Sequence, residues 1–248
     1  MPYKSSCLYT KIDILAVGIH PDDVELSASG TLLRHAALGK TFGLLDLSRG
    51  ELGTRGTPEI RAQEAKDAAK LLGASFRKTL DIPDGLFVPG PEHWIKIIRV
   101  IRWCQPAIVL CNAPDDRHPD HGRAAKMVVD ACFYAGLEKI ETFDDQGIRQ
   151  SGWRPDAVYH YVQDKHLTPD FVVDITPYFH RKMEAVKAFR SQFYNPNSDA
   201  PDTPISGKEF LEFMEAKAKV LGRPIQAKYA EGFIFTRTPG ISNLLDLS

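Results

Sequence analysis

Two short stretches of the sequence concentrate side chains that can bind a metal ion. The first motif, HPDD, occupies residues 20–23 and follows an apolar run. The second motif, RHPDH, occupies residues 117–121 and also follows an apolar run. Histidine nitrogens and carboxylate oxygens suit a catalytic zinc ion, which takes three protein ligands and leaves one position open for water. The two motifs together offer more such groups than one ion needs, and the surplus is available for proton transfer.

The spacing within the motifs indicates a role for each residue. His20 and Asp23 are three positions apart, which brings both side chains to one side of a turn that enters a helix. With His121 they form a set of two histidines and one carboxylate, which suits Zn²⁺ and also Fe²⁺. Asp22 is then free to take a proton from water beside the metal. A protonated His118 is a candidate to stabilise a developing oxyanion.

Asp120 is a candidate to orient one of the histidines through a hydrogen bond. Each motif also has a purely structural interpretation, in which a carboxylate caps the helix that follows the strand. Either motif taken alone favours that structural interpretation. The two motifs make a site only if the fold brings them together, which depends on the elements that carry them.

Short apolar runs alternate with amphipathic stretches along the chain. We predict strands at 12–18, 41–48, 76–82, 107–112, 157–162 and 171–175, and helices at 25–38, 58–72, 91–103, 120–135, 176–193 and 206–221. This alternation is typical of βαβ units and predicts an α/β fold, a Rossmann-like and mainly parallel sheet with helices on both faces. In a sheet of order 3-2-1-4-5, strands 1 and 4 are neighbours and ligands bind at their carboxyl ends. Both motifs begin there, so we expect one metal site at that edge.

Length and composition are those of an ordinary globular protein. The chain has 248 residues, 43% of them hydrophobic, and a formal net charge of −1, which does not favour nucleic acid or anionic membranes as partners. We predict a single domain over 1–248, with a core over about 11–175 and a C-terminal extension over 176–248. The N-terminal MPYKSSCLYTK lacks the apolar segment of a signal peptide, and none of the four cysteines forms a C-x-x-C pair. We expect a cytoplasmic protein with reduced thiols.

With both motifs in view, the sequence resembles the LmbE-like (PIG-L) zinc-dependent N-acetylglucosaminide deacetylases. HPDDVE after strand 1 and RHPDH after strand 4 carry the likeness, which extends to 60–73, 80–85, 172–176, 182–193 and 229–233. These further segments are most similar to the bacillithiol-biosynthesis branch, whose members deacetylate N-acetylglucosaminyl malate. The resemblance implies zinc ligands at His20, Asp23 and His121, a general base at Asp22 and an oxyanion partner at His118.

The resemblance further implies a reaction, hydrolysis of the acetamide of an N-acetylglucosamine conjugate, foremost the L-malate conjugate, to acetate and the free amine. The alternative within this class is a deacetylase of N-acetylglucosamine, chito-oligosaccharides or another glycoconjugate. The alternative outside it is a non-catalytic metal- or sugar-binding domain. Arg49, Arg61 and Arg117 are candidates for substrate binding, since arginine binds carboxylates bidentately. The family also implies a homo-oligomer, and no membrane partner is expected.

Overall fold

The structure, a computed structural model, describes residues 9–243. The strands are β1 (Ile14–Gly18), β2 (Phe42–Asp46), β3 (Phe76–Thr79), β4 (Ile108–Cys111), β5 (Ala157–Tyr161), β6 (Phe171–Asp174) and β7 (Ala230–Phe235). The helices are α1 (Asp23–Ser27), α2 (Ser29–Ala37), α3 (Pro58–Leu72), α4 (Pro91–Cys104), α5 (Pro119–Ala135), α6 (Phe179–Lys187) and α7 (Lys208–Gly222). Short 3-10 turns cover Thr176–Tyr178 and Arg223–Ile225.

Seven strands form one sheet in the order β3-β2-β1-β4-β5-β7-β6. The first five strands are parallel, and β7 runs antiparallel to both of its neighbours. This arrangement confirms the predicted order 3-2-1-4-5 and places the carboxyl ends of β1 and β4 side by side. The last strand, β7, is not among the predicted strands and lies between β5 and β6.

Helices cover both faces of the sheet, so β1 is buried on both sides. Leu15 and Val17 face one core with side chains of α4 and α5, whereas Ile14 and Ala16 face a second core that includes α2. Successive side chains of a strand point to opposite faces, and a continuous apolar run is therefore the sequence that a central strand requires. The predicted doubly covered sheet is confirmed.

Two predicted helices differ from the observed ones. The predicted helix 25–38 is two helices, because the backbone leaves the helical conformation at Ala28, with φ −138°. The predicted helix 176–193 persists only over α6. Beyond it, Phe189 and Phe193 turn into a third apolar cluster with Val186, so burial of these rings replaces the last helical turns.

Two features of the described residues bear on the expectations about thiols and membranes. Cys104, Cys111 and Cys132 are buried free thiols. Cys7 and most of the segment on which the signal-peptide expectation rests lie outside the described residues. Within 9–243, no helix combines the length and the apolarity that crossing a bilayer demands.

Candidate metal centre

The loops after β1 and β4 bring the two motifs together. One side-chain nitrogen from each of His20, His118 and His121 lies within 4.8 Å of the other two. The ring centroids of His20 and His118 are 4.7 Å apart, and those of His20 and His121 are 5.6 Å apart. The juxtaposition expected from the strand order is therefore present.

Asp23 lies between two of these histidines. Its Oδ1 is 3.2 Å from His121 Nε2, and its Oδ2 is 3.9 Å from His20 Nδ1. Ligand atoms arranged tetrahedrally around one zinc ion at its usual bond lengths are about 3.4 Å apart. These three side chains offer nitrogen and oxygen donors close to one another, and the donor set stays a prediction.

Polar neighbours hold the Asp23 carboxylate in place. Oδ2 of Asp23 accepts hydrogen bonds from the backbone N–H of His20 and from Asn112 Nδ2, both at 2.9 Å. Oδ1 accepts one from Gln163 Nε2 at 3.2 Å. Burial acts to raise the pKa of Asp23, but the charges of His121 and His20 outweigh it and hold that pKa well below its usual range. Asp23 is therefore a fixed and charged carboxylate.

Further carboxylates face the other nitrogen atoms of the two rings. His20 Nε2 lies 2.9 Å from Asp84 Oδ1 and 3.6 Å from Asp120 Oδ2, and His121 Nδ1 lies 2.6 Å from Asp116 Oδ2. Burial lowers the pKa of each ring, but the carboxylates around them raise the pKa of His20 to about 10 and that of His121 to about 9. Such contacts fix the orientation of a metal-binding histidine and make it more basic.

Asp84 and Asp116 are functional candidates that the sequence analysis missed. Both follow strands of the parallel sheet, Asp84 after β3 and Asp116 after β4. A search for carboxylates in every loop at this edge of the sheet would have found them. Asp120, the predicted orienting residue, lies near His20, and it also accepts hydrogen bonds from Gly85 N–H and Arg123.

Asp22 has an unusual backbone conformation beside this cluster. Its φ of 135° lies in a region that side-chain-bearing residues rarely adopt, at a cost of about 1–3 kcal/mol. The side chain is buried, and its Oδ2 accepts a hydrogen bond of 3.2 Å from Arg61 Nη2. Burial raises the pKa of Asp22 to about 7, although the charge of Arg61 opposes this shift. Asp22 thus differs from Asp23 in its backbone conformation and in its pKa, which is raised whereas that of Asp23 is lowered.

His118 begins α5 as its N-cap. Its Nδ1 accepts a hydrogen bond of 3.3 Å from the Asp120 backbone N–H, so the proton of the neutral ring is on Nε2. Burial, and then the charge of His20, lower the pKa of His118. The expected imidazolium is therefore not favoured in this environment, whereas a neutral ring that donates through Nε2 is.

The three candidate arginines lie in different surroundings. Arg61 lines the cavity but is buried, and it donates to the backbone oxygens of Pro21 and Gly50 as well as to Asp22. Arg117 is exposed, lines the cavity and forms an ion pair with Asp164. Arg49 is not among the residues that line this cavity, and it pairs with Glu59 at the surface. Which arginine contacts a substrate stays a prediction.

The two motifs line one wall of a cavity of about 300 Å³. Residues of α7 and β7, in the C-terminal part of the chain, also line this cavity. This volume is at the lower end of the range for sites that bind small molecules.

Comparisons with known proteins agree with this geometry. Residues 15–132 match the family model described as PIG-L, GlcNAc-PI de-N-acetylase. The chain is 30% identical over 243 residues to the diacetylchitobiose deacetylase of Thermococcus kodakarensis, with 92% of this chain and 84% of the relative covered. The chain belongs to the PIG-L family. The PIG-L chain also superposes on the conserved protein TT1542 from Thermus thermophilus with a TM-score of 0.80 and 33% identity, over 93% of this chain and 98% of that one.

PIG-L membership confirms the predicted α/β fold and the predicted class of metal-dependent de-N-acetylase enzymes. Another relative, 27% identical over 193 residues, is the 4-oxalmesaconate hydratase of Pseudomonas putida, with 72% of this chain and 73% of the relative covered. Its name describes a different reaction on a similar chain. The residues around the cavity must therefore carry the argument for the reaction and for the substrate.

Proposed function

We propose that this protein is a zinc-dependent deacetylase that hydrolyses the acetamide of an N-acetylglucosamine conjugate. One observation carries the proposal: a buried, strained carboxylate, Asp22, shares a cavity with the histidine–carboxylate cluster but is held apart from it. A site that only bound a metal or a sugar would have no use for such a group. General-base catalysis requires one.

In this proposal His20, Asp23 and His121 hold the metal. The distances of 3.2 and 3.9 Å from the Asp23 carboxylate to the two rings support this set, and nitrogen and oxygen donors suit Zn²⁺ first and Fe²⁺ second. When bound, the metal polarises the acetamide carbonyl and makes water more acidic.

Asp22 moves the protons of the reaction. Its carboxylate takes a proton from the water whose oxygen bonds to the carbonyl carbon. As the carbon–nitrogen bond breaks, Asp22 returns that proton to the amine, and acetate is the second product. Arg61 donates to the Asp22 carboxylate and to the backbone oxygen of the preceding residue, Pro21, so it positions this carboxylate.

His118 stabilises the negative charge that develops on the carbonyl oxygen. Its Nδ1 is occupied by a backbone N–H, and its Nε2–H is therefore the group available as a donor. The donor is held by the start of α5 and needs no reorganisation during the reaction.

The substrate within this class is the finer part of the proposal. We retain the L-malate conjugate of N-acetylglucosamine, a step of bacillithiol biosynthesis, because the segments 172–176, 182–193 and 229–233 resemble that branch. The relative named diacetylchitobiose deacetylase supports the chito-oligosaccharide alternative instead.

Acetate release from the zinc-loaded protein tests both levels of the proposal. The substrates to compare are N-acetylglucosaminyl malate, N,N′-diacetylchitobiose and N-acetylglucosamine. We expect acetate from at least one of them, and a higher kcat/KM for the malate conjugate. A clear preference for the disaccharide would contradict the malate assignment alone, whereas no acetate from any of the three would contradict the proposed reaction.

A further inference from the structure

One face of α7 lines the cavity that also contains the metal cluster. Phe210, Phe213, Met214 and Leu221 recur at helical spacing along this face, and all four line the cavity. We call these residues, together with Lys217 in the same row, the α7 face. Phe213 is 42% exposed, although it lines a cavity that is continuous with the candidate metal centre. An exposed aromatic ring in such a place is suited to contact a ligand.

Lys217 is the cationic member of the α7 face. Its Nζ donates one hydrogen bond of 3.0 Å, to the backbone oxygen of Val162. Across residues 9–243 it takes part in no ion pair with a carboxylate, whereas nearby Lys182 bonds to Glu231 and to the Leu26 backbone oxygen. An ammonium group has three donors, so Lys217 retains capacity for a ligand.

The position of Lys217 connects it to the reacting end of the cavity. Val162, its backbone acceptor, precedes Gln163, and the Gln163 amide donates to Asp23. Burial, and then the charge of Lys182, lower the pKa of Lys217 to about 8. An anion placed beside Lys217 would therefore both stabilise its charged form and remain within the same cavity as the metal cluster.

We infer that the α7 face is the subsite for the group joined to the acetamido sugar, and that it accepts an apolar group that carries an anionic substituent. The inference rests on the proposed function and narrows its substrate class. Covering the exposed Phe213 ring with an apolar group is favourable, and Lys217 gives a charge-assisted hydrogen bond to an anion. A second neutral sugar would give Lys217 no ion-pair partner. Malate would supply the anion but little apolar surface.

Aryl glycosides of N-acetylglucosamine test the subsite. With zinc-loaded protein, we expect kcat/KM for the phenyl glycoside to exceed that of N-acetylglucosamine about tenfold, because the ring adds apolar contact. We expect the 4-carboxyphenyl glycoside to exceed the phenyl glycoside by about another tenfold, through the charged hydrogen bond. Lys217→Met should abolish the second ratio, and Phe213→Ser should reduce the first.

Lys219→Met is the matched control, since Lys219 lies on the same helix but pairs with Glu215 at the surface. This variant should keep both ratios. Equal rates for the two aryl glycosides, or a carboxylate preference that survives Lys217→Met, would overturn the anionic part of the inference. A phenyl glycoside no better than N-acetylglucosamine would overturn the apolar part.

Binding separates a failure of this inference from a failure of the proposed function. Calorimetric titration with the corresponding phenyl and 4-carboxyphenyl glucosaminides, which carry a free amine, measures the same preference without turnover. A protein that releases no acetate but binds the carboxylated compound about tenfold more tightly would contradict the reaction and support the subsite. A protein that releases acetate from every glycoside without preference would support the reaction and contradict the subsite.

Discussion

Asp22 and Asp23 are neighbours in the sequence but have opposite environments. Asp23 accepts hydrogen bonds from the His20 backbone and from two amides, and the charges of His121 and His20 hold its carboxylate charged. Asp22 is turned away by its φ of 135° and meets a single charged donor, Arg61, in a buried position. The backbone strain at one residue therefore separates two identical side chains into a metal-binding role and a proton-transfer role, as proposed above.

Asp22→Asn should retain the metal and lose turnover. The amide removes the proton acceptor but keeps the size of the side chain, and we expect kcat to fall by about 10²- to 10⁴-fold. Metal content and acetate release measure the two effects separately. Asp67→Asn, at an exposed position on α3, is the control and should change neither quantity. If Asp22→Asn kept most of its activity, the assignment of the base would be wrong.

Metal uptake should release protons at neutral pH. In the metal-free protein, neighbouring carboxylates raise the pKa of His20 to about 10 and that of His121 to about 9, so both rings are protonated at pH 7. A bound metal requires the neutral ring, and we expect about two protons per ion and weaker uptake as the pH falls. Zinc titrations in two buffers of different ionisation enthalpy count these protons. Release of none would show that the rings are already neutral.

At the scale of elements, the C-terminal part of the chain supports the helices that follow the first motif. Glu231 on β7 accepts hydrogen bonds from the backbone N–H groups of Gly30 and Thr31 in the first turn of α2. Its carboxylate also bonds to Lys182 of α6, and that lysine donates to the Leu26 backbone oxygen in α1. One buried ion pair therefore joins β7 and α6 to both short helices beside the metal centre.

Glu231→Gln should destabilise the protein strongly. Removing one charge of a buried pair leaves Lys182 uncompensated, and we expect the free energy of unfolding to fall by about 3–5 kcal/mol. Urea denaturation of the metal-free protein measures the change. Glu184→Gln on α6 is the matched control, because its partner His180 is exposed, and it should change stability by less than about 1 kcal/mol. Similar stabilities for the two variants would contradict a structural role for the buried pair.

The elements that the sequence predicted well are those whose ends are marked by capping or turn residues. The bounds of α3 match the prediction because Thr57 caps its start, Pro58 occupies its first turn and Gly73 ends it with φ 78°. The locations of Asp84 and Asp116 beside the histidines were missed, because those contacts depend on loop paths between distant segments. The insertion of β7 between β5 and β6 was missed for the same reason, since no local pattern specifies an antiparallel partner.

At the scale of the molecule, the predicted core and the predicted extension share one sheet and one cavity. β7 pairs with β5 of the core and with β6, and α7 lines the cavity that contains the metal cluster. A single domain over the whole chain stays a prediction, and this shared sheet gives the physical reason to expect it.

Unfolding should therefore be a single cooperative transition. Separating the extension from the core would break the β5–β7 pairing and expose the buried ion pair, so neither part should unfold before the other. In differential scanning calorimetry of the metal-free protein, we expect the calorimetric and van't Hoff enthalpies to agree. Two resolved transitions would show that the extension is a separate folding unit.

The position of β7 also bears on how the protein is made on the ribosome. β6 leaves the ribosome before β7, yet among the described strands β7 is the one that links β6 to the rest of the sheet. Until β7 emerges, the nascent chain presents the open edge of β5, and Lys182 lacks its carboxylate partner. Open strand edges readily pair with other chains. Translation of the stretch between β6 and β7 is thus an interval in which the growing chain exposes an unpaired strand edge that chaperones can protect.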